Sequence, residues 1–166
     1  MSMIGCFAKI TPSQLQGVIQ DPDSVAALVF SADESSSESI EELDLDKAWN
    51  LIHFLLTGDT WGGEGPLAKA IMGGEVLEDT DTGYGPFRYH EPGQVRLISE
   101  ALGKIDSEAL WQNFDAQKVK EAEVYPIGAW EGSDEDKQYT CQNFDELKRF
   151  YSEAARDSSA LLLYIA

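Results

Sequence analysis

The stretch "ALLLYIA" at positions 160–166 constrains the fold more than any other. It is too short for a stable helix and offers no polar position to face water, so it reads as a strand buried within a sheet. A strand needs a neighbour, and "MIGCFAKI" at 3–10, loosely alternating and rich in Ile, Phe and Met, supplies one at the other end of the chain. The signals between them are mostly helical, with no βαβ rhythm and no internal repeat. The expectation is an α+β fold: a single domain with a small mixed sheet, N- and C-terminal strands adjacent, covered by several helices. At 166 residues the chain is long enough to bury about 70% of its unfolded surface without a staple.

Capping chemistry places the helices. Thr11-Pro12-Ser13-Gln14 combines an N-cap, a proline at the first helical position and a Gln three residues on. Ser24 begins a second short helix through "VAALVF". The acidic, Ser-rich "SADESSSESIEE" at 31–42 has almost nothing to bury and reads as a surface loop. A helix is expected over "LDLDKAWNLIHFLLTG" at 43–58, with Asp44 or Asp46 as N-cap and Gly58 as C-cap. The Gly-rich loop after it carries Trp61, and Pro66 opens another helix that Gly73-Gly74 stops. "EVLED" and "FRYHE" are candidate strands around a turn, 94–104 is helical, and Asp106 and Asp115 cap two further helices. A last helix over 144–156 puts Phe144, Leu147, Phe150, Tyr151 and Ala154 on one stripe.

Charge narrows the choice of partner. Twelve Lys and Arg against 30 Asp and Glu give a net charge of −18, which repels phosphate backbones and anionic lipid and attracts a basic protein surface. Nucleic acid and membrane are therefore excluded as partners, and a basic protein or a small ligand is left. No apolar run reaches about 18 residues and the first ten residues lack a signal-peptide pattern, which points to a cytoplasmic protein. The distant Cys6 and Cys141 then read as reduced thiols.

No phosphate-binding, dinucleotide, zinc-protease, dithiol or nucleophile-elbow motif is present, so no cofactor is assigned. Asp79-x-Asp81-x-Gly83 begins like a calcium loop, but the position of the bidentate carboxylate falls on His90, and no metal is assigned. The chemistry-bearing candidates lie elsewhere. On a helix over 43–58, ~100° per residue brings Asp46, Asn50, His53 and Thr57 onto one narrow polar line along an otherwise apolar cylinder. His53 held in one tautomer would present its other nitrogen as a general base, with Asp46 or Asn50 orienting it; equally, it is a buried histidine satisfied by backbone. "GYGPFRY" at 83–89 brings Tyr84, Arg88 and Tyr89 around a turn, a set suited to an anionic or planar group or to plugging the core. Trp61, on its Gly-rich loop, is the best exposed anchor.

The order of these segments is itself distinctive. "MIGCFAKI", "LDLDKAW..IHFLLTG", "GEGPLAKAIMGGE", "GYGPFRYHEPGQV", "VYP.GAW" and "FDELKRFYSEAA" together resemble the DUF1877 family across essentially the whole chain. That resemblance implies a single α+β domain and carries no assigned activity or site residues. The family pattern includes the positions of Asp46, Lys47, Trp49, His53, Thr57 and Gly58.

Two function classes stay open. One is a non-catalytic interaction protein using His53, Asn50, Trp61, Tyr84, Arg88 and Tyr89, in its most specific form an acidic, immunity-like inhibitor of a basic partner. The other is a small hydrolase with His53 as base and Arg88 or Tyr84 stabilising developing negative charge. The first is preferred because the second has neither a nucleophile nor a metal set.

Overall fold

In the computed structural model, which describes residues 2–30 and 40–166, the two apolar ends of the chain lie side by side. The elements run β1 (Gly5–Ile10), α1 (Pro12–Gln20), α2 (Ser24–Phe30), β2 (Glu41–Asp44), α3 (Trp49–Thr57), α4 (Pro66–Met72), β3 (Glu75–Val76), β4 (Arg88–His90), α5 (Pro92–Leu102), α6 (Ser107–Trp111), α7 (Ala116–Glu121), α8 (Asp134–Arg156) and β5 (Ala160–Ile165). The sheet order is β2-β1-β5-β4-β3. β1 and β5 pair from Gly5↔Ile165 to Ile10↔Ala160. Every ladder among the described strands is antiparallel, which corrects the expected mixed sheet.

β5 is apolar throughout because both of its faces are covered. Leu161 and Leu163 join Phe7 in the larger core, with side chains from α3, α4, α5, α6, α7 and α8. Ala160, Leu162 and Tyr164 join Ala8 and Ile10 in a second core, closed by Leu15 and Val18 of α1, Val25 and Val29 of α2, and Leu77 and Phe87. The period of two along a strand thus divides one hydrophobic run between two layers.

The capping signals map onto helix starts. Thr11 and Gln14 form the reciprocal box that opens α1, and Asp106 and Asp115 cap α6 and α7. α8 begins at Asp134, ten residues before its apolar stripe, with Ser133 as the N-cap whose hydroxyl accepts from the Asp136 amide and three acidic residues in the first turn. Of the Ser-rich loop expected at 31–42, residues 31–39 lie outside the described residues, and Glu41 and Glu42 belong to β2. Cys6 and Cys141 are free thiols, and burial, aided by Asp44, pushes Cys6 up to about 11. Among the described residues no helix is long and apolar enough to cross a membrane.

Candidate functional site

The polar line expected on one helix is broken at its first member. Residues 43 and 44 belong to β2, a 3-10 turn spans Asp46–Ala48, and α3 begins only at Trp49. Neither Asp44 nor Asp46 caps α3; its N-cap is Ala48, and the 3-10 turn feeds the helix without a side-chain cap. The Asp44 carboxylate instead accepts from the Asp46 amide at 2.5 Å. Asp46 sits at φ +49, in the left-handed region that an Asp tolerates. Its carboxylate accepts from the Tyr139 hydroxyl at 2.8 Å. Asp46 therefore ties the turn to α8 and takes no part in orienting His53.

The rest of the line works as a clamp. Asn50, fully buried, donates Nδ2–H to the Thr60 carbonyl at 2.8 Å and accepts the Tyr125 amide on Oδ1 at 2.7 Å. His53, also fully buried, meets the Gly62 carbonyl through Nε2 at 2.8 Å. A carbonyl only accepts, so the ring proton sits on Nε2 and Nδ1 carries a lone pair. That Nδ1 is sealed and has no hydrogen-bond partner. The Thr57 hydroxyl donates to the His53 carbonyl at 2.9 Å. Gly58, at φ +78, closes the helix with its amide on the Phe54 carbonyl, the expected left-handed C-cap.

These side chains grip the loop that follows. Thr60 and Gly62, whose carbonyls Asn50 and His53 hold, flank Trp61 on either side. Asp59 accepts the amides of Trp61 and Gly62 on one oxygen, at 2.9 and 2.8 Å. Those two bonds hold its carboxyl below the usual range. The Thr60 hydroxyl donates to the Ala122 carbonyl at 2.9 Å. The Trp61 indole, 58% exposed, leans on buried Trp49 at 6.0 Å between centroids, and Trp49 in turn stacks on Tyr125 at 5.8 Å. A polar network thus holds the backbone on both sides of one solvent-exposed aromatic ring.

Burial holds His53 below its ordinary value of 6.5, with Gly62 and Asp59 acting in the opposite direction. His90, on β4, is likewise lowered by burial. The unfolded chain takes up a proton at each histidine as the pH falls through about 6.5, while the native histidines do so only at lower pH. The unfolded state then binds more protons, so stability drops with pH below that point, by no more than about 1.4 kcal/mol per unit for each histidine. Urea midpoints measured from pH 7.5 to 5.5 should fall, and the slope should lessen in His53→Gln; midpoints that hold level or rise would contradict neutral burial.

The "GYGPFRY" residues make no hydrogen bond to His53 among the described residues. Tyr84 is exposed at the tip of a turn in which Asp81 accepts the amides of Gly83 and Gly85, so the calcium-like motif is an Asx turn. No group of three or more potential metal ligands occurs among the described residues. Phe87 is buried against Tyr164. Arg88 and Tyr89 pair with Leu163 and Leu162 of β5, so their side chains leave opposite faces of the sheet. No hydrogen bond joins His53 to Tyr84 or Arg88 among the described residues. Tyr89 instead borders a cleft of about 400 Å³ with His90, Lys69 and Gln94. Sequence reasoning does not single out these three as a site, although "YHEPGQ" announces a strand end turning straight into a proline-started helix.

Comparison with known proteins accords with this architecture. Residues 1–164 match the family described as "Domain of unknown function (DUF1877)". Protein YfbM of Escherichia coli (strain K12) is 27% identical over 129 residues, 76% of this chain and 74% of the relative. The crystal structure of YfbM from Escherichia coli, a protein of unknown function, superposes with a TM-score of 0.78 at 22% identity. The match covers 98% of this chain and 99% of that one. The chain belongs to the DUF1877 family.

Proposed function

We propose that the protein is a non-catalytic interaction protein that docks a basic partner through Trp61. The observation that carries this reading is the exposed indole on a loop whose flanking carbonyls are held by buried side chains. An anchor ordered before binding loses little conformational entropy on contact, and tryptophan is the residue most enriched among such anchors. The neighbouring Asp59 and Glu64 are exposed. Among the described residues only Lys9, Lys137, Arg149 and Arg156 pair with carboxylates, so most of the described acids have no ion-pair partner. The resulting field steers a basic surface toward the ring. Its most specific form is an acidic, immunity-like inhibitor that covers the anion-binding surface of its target. His53 does not support a hydrolase reading, because neither ring nitrogen is open to a substrate.

The test is parallel affinity capture from the native cell with the wild-type chain and Trp61→Ala, followed by titration of the purified partner. Trp61→Ala should weaken binding by about 30-fold or more while leaving the thermal midpoint nearly unchanged, and binding should weaken further as salt rises. Equal binding by the variant, or binding indifferent to salt, overturns the proposal.

A further inference from the structure

The cleft between α4, β4 and the start of α5 has features of a built site. His90 is 2% exposed, and its Nε2 meets the Lys69 carbonyl at 2.8 Å. As with His53, an acceptor-only carbonyl fixes the proton on Nε2. Nδ1 is then a lone-pair acceptor with no partner among the described residues, on a ring that borders the cleft. In contrast to the nitrogen of His53, it is not among the sealed atoms.

The backbone closes tightly around that ring. Gly74 lies at φ +103, and a Cβ there would come within 2.8 Å of the Tyr89 carbonyl oxygen and 3.2 Å of His90 Cε1. Only glycine lets the chain pass so near. The rim carries both signs of charge: the Lys69 ammonium, and the carboxylates of Glu75 and Glu91. None of the three forms an ion pair among the described residues. Glu91 is the N-cap of α5 but makes no side-chain cap bond. Glu91 and Gln94, at the start of α5, close this end of the cleft.

A nitrogen lone pair and two carboxylates call for a cationic N–H donor; the Lys69 ammonium calls for an anion. We propose that this cleft binds a small zwitterion of the free amino-acid class, its ammonium donating to His90 Nδ1 and Glu75 and its carboxylate meeting Lys69. A volume of about 400 Å³ admits such a molecule with room for a side chain. The two carboxylates outnumber the one ammonium, so compounds carrying a second amine should rank highest. This site is independent of Trp61.

The purified protein tests the idea directly. Each of the twenty standard L-amino acids is added at about 5 mM, and the thermal midpoint is followed; a ligand held at ~50 μM should raise it by about 5 °C. Isothermal titration of the best compound should show binding weakened about tenfold in Lys69→Gln and in Glu75→Gln. Both substitutions lie at exposed side chains, and the Lys69 carbonyl that holds His90 is retained. His90→Leu should abolish binding, and the two rim variants keep the test decisive if that protein does not fold. Trp61→Ala should bind as the wild type does. Three results would overturn the proposal: no midpoint shift with any amino acid, equal affinity in both rim variants, or equal affinity for the matching amine without its carboxylate.

Discussion

Replacing Asn50 with alanine should cost about 3–5 kcal/mol, because it strands two groups at once. The Thr60 carbonyl loses its donor and the Tyr125 amide loses its acceptor, each worth about 1–3 kcal/mol when left unpaired in the interior. Asn50→Asp separates the two halves of the effect. It keeps an acceptor for Tyr125 but sets an oxygen against the Thr60 carbonyl, so the carboxyl prefers its protonated, donating form and its folded pKa rises. The native state then binds the extra proton. Relative to the wild type, the Asp variant should recover stability as the pH falls toward about 4. Urea denaturation gives the total, and hydrogen exchange at the Trp61 and Gly62 amides gives the local part. An Asn50→Ala cost below about 1 kcal/mol would mean that the clamp is not a stability element.

Trp49→Ala should be of similar size, about 3–5 kcal/mol for a fully buried indole. The ring is fixed from several sides: Nε1 donates to the Met3 carbonyl at 3.0 Å, Tyr125 stacks on one side and Trp61 leans against it. β1 comes close enough that a Cβ on Gly5 would lie 2.5 Å from the Trp49 Cβ, so the strand and the helix start have little freedom to close the void. Trp49→Phe should recover most of the packing and leave the Met3 carbonyl without its donor, a loss of about 1–2 kcal/mol. A fluorescence or circular-dichroism denaturation curve decides the ranking; Phe as damaging as Ala would place the energy in the hydrogen bond.

What could be read from the chain depended on whether its cause was local. Thr11 with Gln14, Asp106, Asp115 and Gly58 declare helix ends because the capping partner lies within four residues. The start of α8 was open to the same reasoning at Ser133, but the apolar stripe that drew the assignment begins only at Phe144. The boundary at Asp44 could not be read that way. Leu43 fits a helical period, and what makes 41–44 a strand is its ladder with β1, more than thirty residues away. Long-range pairing overrides local periodicity.

The candidate site divides in the same manner. Asn50, His53 and Thr57 were visible as a line because one helix carries them, and Trp61 because a glycine-rich loop leaves an indole little to pack on. Their partners were not visible. The carbonyls of Thr60, Gly62 and Ala122 and the amide of Tyr125 belong to backbone, which every residue has and no sequence pattern marks. Asp46 left the line because its partner, Tyr139, lies on a helix that only tertiary packing brings near. A grouping of His53 with Tyr84 and Arg88 assumes that conspicuous residues converge; His53 instead takes the Gly62 carbonyl, a backbone partner.

The place of β5 at the middle of the sheet also sets a clock. β1 leaves the ribosome well before β5, so one of its two neighbours is made about 150 residues after it. β4 waits for the same strand. Until residue 165 has been synthesised, both hydrophobic layers lack their shared wall, and β1 and β4 each carry an open edge able to pair with another chain. Complete native pairing therefore forms no earlier than that moment, and both edges stay open for the time it takes to build the intervening residues, about 8–30 s at 5–20 residues per second.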